Sequence, residues 1–540
     1  MTMTIRSFLL ILGISVGSLM AGRGLIHYFQ LESYQFPGYF RTLRRNLLRA
    51  VLPGFLLNAA LAAGAALMRL VANEWVATLA LIALALGAGW VIRGRAKDAK
   101  AKKPLVVTAR VKRLYGVGLV VFAGVQLLLI RGGAPYMETG DASFLSLFCV
   151  ALQFLFPSFL PLWVALAGLC AWPVEKGISE MYFQDARRVL RQRDDLIRIG
   201  ITGSWGKTSV KFILGTMLEE KYHTLITPAS YNTPMGVTKV IRTGIEPGHR
   251  VFVAEMGARH VGDIREMCRL VRPTIGVLTS VGPQHLDTFK TLERVTRTKY
   301  ELMDAIPDNG MCFFADDRDI CRELFEKTPK DKYIAGMDPA YDDVWAENLR
   351  ATREGSEFDL CFRDIRIPCR TALLGELNIR NILLCAAICR KLGLTGEQIR
   401  RGIRKLQPVE HRLQLMETPG RFTVIDDAFN SNIVGAKQAF QVLSQFPKQR
   451  IVVTPGMVEL GRQEAEMNQA FGEAMAGCCD LAILVGKNRS GDIRAGLRKA
   501  GFPEENIRVV ADLKEAAALL ERIAGPGDTI LFENDLPDNY

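Results

Sequence analysis

Residues 196–209 read Leu196-Ile197-Arg198-Ile199-Gly200-Ile201-Thr202-Gly203-Ser204-Trp205-Gly206-Lys207-Thr208-Ser209. Leu196 to Ile201 has the apolar, β-branched character of a buried strand, and the residues from Lys207 to about Glu220 suit a helix. A strand that turns through two glycines into a helix is a phosphate-binding loop. Glycine lets backbone N–H groups approach the phosphates, and the helix N-terminus adds partial positive charge. In such a loop Lys207 reaches the β and γ phosphates and the Thr208 hydroxyl serves a magnesium ion, while Gly203, Ser204, Gly206 and Ser209 complete the cradle. The strict pattern G-x-x-x-x-G-K-[ST] requires glycine at position 201; this chain has Ile201, with Gly200 one place earlier.

Beyond residue 175 short β-rich runs alternate with amphipathic helical stretches, the texture of βαβ units around a mainly parallel sheet. Residues 175–198 suit an amphipathic connecting helix, residues 199–406 a central P-loop ATPase domain, and residues 407–540 a Rossmann-like α/β domain. The Pro408 segment marks the boundary between these two domains. The 540 residues exceed a single module, at roughly 150 residues per domain.

Residues 1–174 have a different composition. Apolar stretches near 5–22, 48–70, 75–92, 115–130 and 144–172 are long enough to cross a bilayer core, which takes about 20 helical residues. The last is expected to tilt or break around Pro157 and Pro161. The net charge of +12 is segregated too: residues 1–113 hold 16 of the 68 Lys and Arg but 3 of the 56 Asp and Glu. The remaining chain carries 52 basic against 53 acidic residues. The excess charge therefore punctuates apolar runs instead of lining a folded face, which argues against nucleic acid and for membrane topology.

Arg23, Arg41, Arg44 and Arg45 follow the first stretch, and nine Lys or Arg between Arg93 and Arg113 follow the third. By the positive-inside rule both loops are cytoplasmic. Five spans then place the amino terminus outside a bacterial-type plasma membrane and the carboxy-terminal body in the cytoplasm. Eleven cysteines are scattered without a C-x-x-C pair, which signals reduced thiols in place of a zinc ribbon or disulfide framework.

The loop Ile201 to Thr208 resembles the nucleotide loop of the Mur ligase family, and further segments follow in family order. Ser230-Tyr231-Asn232-Thr233-Pro234-Met235-Gly236-Val237 is similar to the family segment near the phosphates and metal, which points to Asn232 and Thr233 as substrate contacts. Val251-Phe252-Val253-Ala254-Glu255-Met256-Gly257-Ala258 is similar to the strand whose glutamate binds magnesium. A carboxylate at the end of an apolar strand is costly to bury without a cation or partner, so Glu255 is either a metal ligand or half of an ion pair. Thr279 to Asp287 resembles the strand-end motif whose histidine, His285 here, belongs to the metal and acyl-phosphate neighbourhood. Lys299 lies 14 residues later, the spacing of a lysine that several family members carbamylate to make a second magnesium ligand.

Gly375 to Asn381 resembles the family's G-x-H-N-x-x-N segment, with Leu377 in place of the usual histidine and Asn381 as the adenine contact. Gln407 to Gln414 resembles the interdomain boundary, where Arg412 is expected near the nucleotide. Val424 to Asn432 is similar to the D-D-x-Y-N-A-N signature of the MurF branch, giving Asp427 a nucleotide role and Asn430 and Asn432 a substrate role. Thr454 to Gly461 resembles that branch's G-x-M-x-E-L-G. The resemblance covers roughly residues 199–535 and implies ATP and magnesium as cofactors.

The implied activity is a membrane-anchored, ATP-dependent amide ligase working through an acyl phosphate. It would add an amino acid or dipeptide to a cell-wall precursor that is either soluble or lipid-linked. In the resemblance, Lys207, His285 and Lys299 are catalytic, and Thr208, Glu255, His285 and Lys299 form the metal set. Two other classes stay open: a ligase for another envelope polymer such as a polyglutamate capsule, and a nucleotide-responsive membrane regulator or transporter. The near absence of ionisable residues within the apolar stretches argues against a transport pathway.

Overall fold

The computed structural model describes residues 5–534 apart from 69, 71–72, 96–103, 141–142, 229–230, 353–354, 409–412, 418–421, 429–432, 459 and 461–462. The chain divides near residue 180 into two compact units.

The first unit is helical. Its long apolar helices are Leu47–Met68, Glu74–Arg95, Ala109–Thr139 and Leu160–Arg191, and Ile5–Ala21 continues into Arg23–Leu31 through a 50° bend. Among the described residues four helices are long and apolar enough to cross a membrane, five if the bent pair is one span. Small residues let two backbones meet: a Cβ added to Gly17 would lie 2.4 Å from the Ala85 carbonyl oxygen, and one on Gly89 would lie 2.5 Å from that of Gly17. Some polar groups inside the unit pair with each other. The Gln126 Nε2 donates to Ser15 Oγ at 2.8 Å, and Arg113 donates to both oxygens of Glu175 at 2.6 and 2.9 Å. The periphery exposes Leu48, Phe55, Leu79, Trp90, Val120 and Phe144, an apolar surface that water penalises and lipid does not.

Residues 144–172 do not form one tilted helix; the stretch takes the broken form that the sequence also allows, with the break at Pro157 and not at Pro161. The short helix Phe144–Phe154 stops, the turn Phe156–Phe159 carries Pro157, and a new helix runs from Leu160 to Arg191. Pro157 has no N–H to continue a helical ladder, whereas Pro161 falls in the first turn, where that donor is dispensable. The segment 175–198 is accordingly no separate connecting helix. Its helical part is the tail of this last helix, and Ala186 and Leu190 on that tail are buried in the second unit's core.

The second unit contains two sheets. Strands β1 (Ile197–Thr202), β2 (Thr224–Ile226), β3 (Val251–Glu255), β4 (Ile275–Leu278), β5 (Met311–Ala315), β6 (Asp331–Gly336), β7 (Val344–Thr352), β8 (Gly355–Phe362) and β9 (Arg366–Thr371) form the larger one. Their order is β2-β3-β1-β4-β5-β6-β7-β8-β9. The strands are parallel from β2 to β7, and β8 and β9 pair antiparallel. Ile199, Ile201, Val251, Val253, Ile275 and Val277 are all buried, as parallel strands covered by helices on both faces require. The helices Lys207–Leu218 and Glu376–Lys391 cover one face, and Pro234–Gly244, Asp263–Val271 and Leu292–Ala305 the other. Strand order reverses around β1, so the carboxyl ends of β1, β3 and β4 open into the crevice where such sheets bind ligands.

The smaller sheet contains β10 (Gln414–Glu417), β11 (Thr423–Asp427), β12 (Arg450–Thr454), β13 (Leu481–Val485), β14 (Ile507–Val510) and β15 (Thr529–Glu533). It runs β10-β11-β15-β12-β13-β14 and is parallel except for the β10 edge, matching the Rossmann-like expectation.

Candidate active site

The crevice is built on the loop between β1 and the helix Lys207–Leu218. The loop is fastened to the end of β4. Ser204 N–H donates to the Ser280 carbonyl at 2.9 Å, Trp205 N–H to Ser280 Oγ at 2.8 Å, and Ser204 Oγ to the Gly282 carbonyl at 2.9 Å. Two glycines are structurally required. A Cβ on Gly203 would fall 2.1 Å from Thr279 Oγ1, and Gly206 has φ of 80°, with its would-be Cβ 3.2 Å from Asn381 Oδ1. The Lys207 ammonium donates to the carbonyls of Gly203 at 2.7 Å and Ser204 at 3.0 Å, which holds its charge over the loop. Thr208 and Ser209 are buried in the first helical turn, whose N–H groups have no intrahelical acceptor and suit phosphate oxygens.

Gly206→Ala is therefore expected to weaken nucleotide binding about tenfold or more. It forces a left-handed backbone that costs roughly 1–3 kcal/mol in a non-glycine residue and crowds Asn381. Titration with a fluorescent ATP analogue measures the effect.

Glu255 ends β3 and is 1% exposed. Its Oε1 accepts from Thr208 Oγ1 at 3.2 Å and Asn232 Nδ2 at 3.1 Å, and its Oε2 accepts from Lys211 Nζ at 3.1 Å. Burial alone would raise its pKa, but Lys211, Lys207 and the Asn232 hydrogen bond outweigh that, and the carboxyl stays below its ordinary range. Glu255 is thus a buried anion beside the phosphate loop. Lys211 was not among the residues expected from sequence. It sits four residues after Lys207 on the same helix and is fully buried. The one sequence signal is a cation within the otherwise apolar run Val210 to Leu214.

Lys299 lies in the helix Leu292–Ala305 and is 1% exposed. Burial first, then the positive charge of Lys207, pushes its pKa well below the ordinary lysine value, with Asp263 and Glu255 partly opposing. Lys207, Glu255 and Lys299 therefore share one electrostatic neighbourhood. His285 is half-buried, adopts a left-handed backbone (φ 52°) and precedes the short helix Leu286–Phe289. Among the described residues no three His, Cys, Asp or Glu side chains gather as a metal cluster. The side chains at hand for a cation are the Glu255 carboxylate and the Thr208 hydroxyl, a sparse oxygen set that suits magnesium carried on phosphates.

Asn381, in the helix Glu376–Lys391, is buried beside Gly206, and its Nδ2 has no hydrogen-bond partner among the described residues. A buried donor at the mouth of a phosphate loop fits an acceptor on a bound nucleotide. Asn232 is at the site through Glu255. Thr233 accepts the Gly236 N–H at 3.3 Å as a helix cap. Asp427, at the end of β11, accepts the Leu413 N–H at 3.0 Å and so fastens the start of the smaller sheet. Arg412, Asn430 and Asn432 lie outside the described residues.

Residues 201–389 match the Mur ligase middle domain and residues 411–533 the Mur ligase glutamate ligase domain. The chain belongs to the Mur ligase family. A UDP-N-acetylmuramoyl-tripeptide–D-alanyl-D-alanine ligase from Escherichia coli (strain K12) is 29% identical over 330 residues, 59% of this chain and 73% of its own length. The enzyme of the same description from Mycobacterium tuberculosis (strain ATCC 25618 / H37Rv) is 29% identical over 358 residues, 62% of this chain and 69% of its own. The fold is shared with MurF from Acinetobacter baumannii (TM-score 0.61, 24% identity, 67% of this chain and 78% of that one). It is shared equally with MurF from Thermotoga maritima in complex with ADP (TM-score 0.60, 24% identity, 66% and 80%). The ligase is of the MurF type, an ATP-dependent enzyme that forms carbon–nitrogen bonds, and Mur ligases use ATP and magnesium.

Proposed function

We propose that this ligase is anchored in the bacterial plasma membrane and joins an amine to the carboxylate of a muramoyl-peptide precursor through an acyl phosphate. The observation that carries the reading is the buried Glu255 carboxylate, bonded to Thr208 of the phosphate loop and electrostatically coupled to Lys207. Thr208 and Glu255 would hold magnesium, which when bound neutralises phosphate charge so that a second anion can approach. Lys207 and the N–H groups of the first helical turn position the γ-phosphoryl group. A carboxylate oxygen of the precursor attacks the γ-phosphorus and ADP leaves. The amine nitrogen then attacks the acyl carbon, loses a proton and expels phosphate. The protein contributes positioning and charge, and no side-chain nucleophile is needed.

The relatives' substrates set the test. Purified full-length protein in lipid nanodiscs, given ATP, magnesium, UDP-N-acetylmuramoyl-tripeptide and D-alanyl-D-alanine, should yield the amide product with ADP and phosphate. Heavy oxygen placed in the acceptor carboxylate should appear in the released phosphate. Phosphate without the label rules out the acyl phosphate. Offering a lipid-linked precursor alongside identifies which form the anchored enzyme takes.

Two further features belong to the same reading. The apolar periphery of the first unit and its basic loops support a multi-pass anchor with the amino terminus outside and the catalytic body in the cytoplasm. A carboxy-terminal tag should be cleaved by protease in inverted membrane vesicles and protected in right-side-out ones; the reverse pattern overturns the orientation. Lys299, whose pKa burial pushes well below the ordinary lysine value, is suited to attack carbon dioxide and lose a proton, giving a carbamate beside the metal site. Trapping with labelled bicarbonate should place the label on Lys299, and an unlabelled Lys299 in fully active protein excludes the modification.

A further inference from the structure

The site contains a fully buried ion pair that the proposed chemistry does not use. Lys211 Nζ lies 3.1 Å from Glu255 Oε2, with side chains 0% and 1% exposed. Lysine is rarely buried to this degree, because desolvating an ammonium ion is recovered only through good geometry with an anion. Its position follows from two features of the fold. Lys207 and Lys211 are one turn apart on the same helix, and β3 lies directly beside β1, so the end of β3 meets the helix that β1 feeds. The two oxygens of Glu255 have separate partners. Oε2 takes the ammonium, while Oε1 faces the Thr208 hydroxyl and the Asn232 amide.

We propose that Lys211 is the positioning residue for the magnesium site: by holding Oε2 it fixes the Glu255 carboxylate so that Oε1 and the Thr208 hydroxyl form the protein's share of the cation's ligands. The inference rests on the reading of Glu255 as a metal ligand. Without this tether the carboxylate would keep only its Oε1 contacts with Thr208 and Asn232, and its last torsion, which has broad, roughly two-fold preferences, would be held less firmly toward the cation. Groups that orient a metal-binding side chain typically change metal affinity about 10–100-fold when removed. The asymmetry also separates the two lysines. Lys207 reaches phosphate, and Lys211 acts on the cation through Glu255.

The test uses the full-length protein in nanodiscs and measures Mn2+ binding by electron paramagnetic resonance with saturating ADP. Binding of a fluorescent ADP analogue without metal and thermal stability are measured in parallel. Lys211→Gln keeps a hydrogen-bond donor without the charge, and Lys211→Met removes both. Each is expected to weaken Mn2+ binding tenfold or more, Met more than Gln, with metal-free nucleotide affinity unchanged. Full-strength Mn2+ binding in Lys211→Met overturns the proposal, as does a parallel loss of metal-free nucleotide binding in Lys211→Gln, which would mark a structural role. If Lys211→Met does not fold, Lys211→Gln decides by the same criteria. Glu255→Gln is the control. If it leaves Mn2+ affinity intact, the metal reading of Glu255 itself fails; if it abolishes binding while the Lys211 variants do not, only the positioning role fails.

Discussion

Lys207→Ala is expected to abolish ATP-dependent ligation, lowering turnover about a thousandfold or more, while leaving the first unit's helices unchanged. The magnitude follows from what the ammonium does in a phosphoryl-transfer site. A preorganised donor aimed at developing phosphate charge contributes roughly 100- to 1,000-fold, and cationic groups on a transferring phosphoryl reach roughly 1,000- to 100,000-fold. Lys207 combines the two roles, and its carbonyl anchors at Gly203 and Ser204 keep it over the loop at little reorganisation cost. The substitution has a second, electrostatic consequence. Lys207 is one of the charges holding Glu255 below the ordinary carboxylate range and pushing Lys299 down, so its loss shifts both pKa values upward. Single-turnover phosphate release by purified protein checks the prediction. Undiminished ligation by Lys207→Ala would sink the assignment of the crevice as the reaction centre.

Glu255→Gln is expected to be nearly as damaging, with activity lowered about a hundredfold or more at millimolar magnesium and an independent loss of stability. Glutamine keeps the volume but removes the anion, which leaves the Lys211 ammonium buried without its counter-charge. Breaking a buried pair from one side typically costs about 3–5 kcal/mol. The double variant Glu255→Gln with Lys211→Met removes both charges, so it should recover most of that stability and none of the activity. Thermal denaturation and ligation assays on the two single variants and the double variant form one cycle. Stability that fails to return in the double variant would mean that the two side chains do not act as a pair.

The contrast between Glu255 and Lys211 shows why parts of the site are readable from a linear sequence and parts are not. The phosphate loop is local: strand, glycine turn and helix are contiguous, and the backbone conformation the glycines permit follows from residue type. Glu255 was likewise visible, because an acid at the end of an apolar strand needs an explanation wherever the strand lies. Of its two sequence readings, metal ligand or ion pair, the ion pair is the one observed, through Oε2, and it leaves Oε1 facing Thr208 and Asn232. Lys211 carries no such mark. Its partner is 44 residues away, and whether it faces solvent or the carboxylate depends on β3 lying beside β1.

Within the first unit, hydropathy located the apolar stretches because bilayer thickness fixes a minimum length for any spanning helix. It did not locate the ends of the last helix, which continues past its apolar part to Arg191 because backbone hydrogen bonding extends a helix regardless of polarity. Sequence alone determined the segregation of charge, the phosphate loop and the membership in an ATP-dependent ligase family, all properties of residue type at short spacing. Tertiary structure alone decided the strand order that sets β1 between β3 and β4, the division of labour between the two oxygens of Glu255, and the burial of Lys211 and Lys299. Those depend on contacts between distant segments, and the energies that decide them, desolvation and pairing in a low-dielectric interior, exist only once the chain has closed around the site.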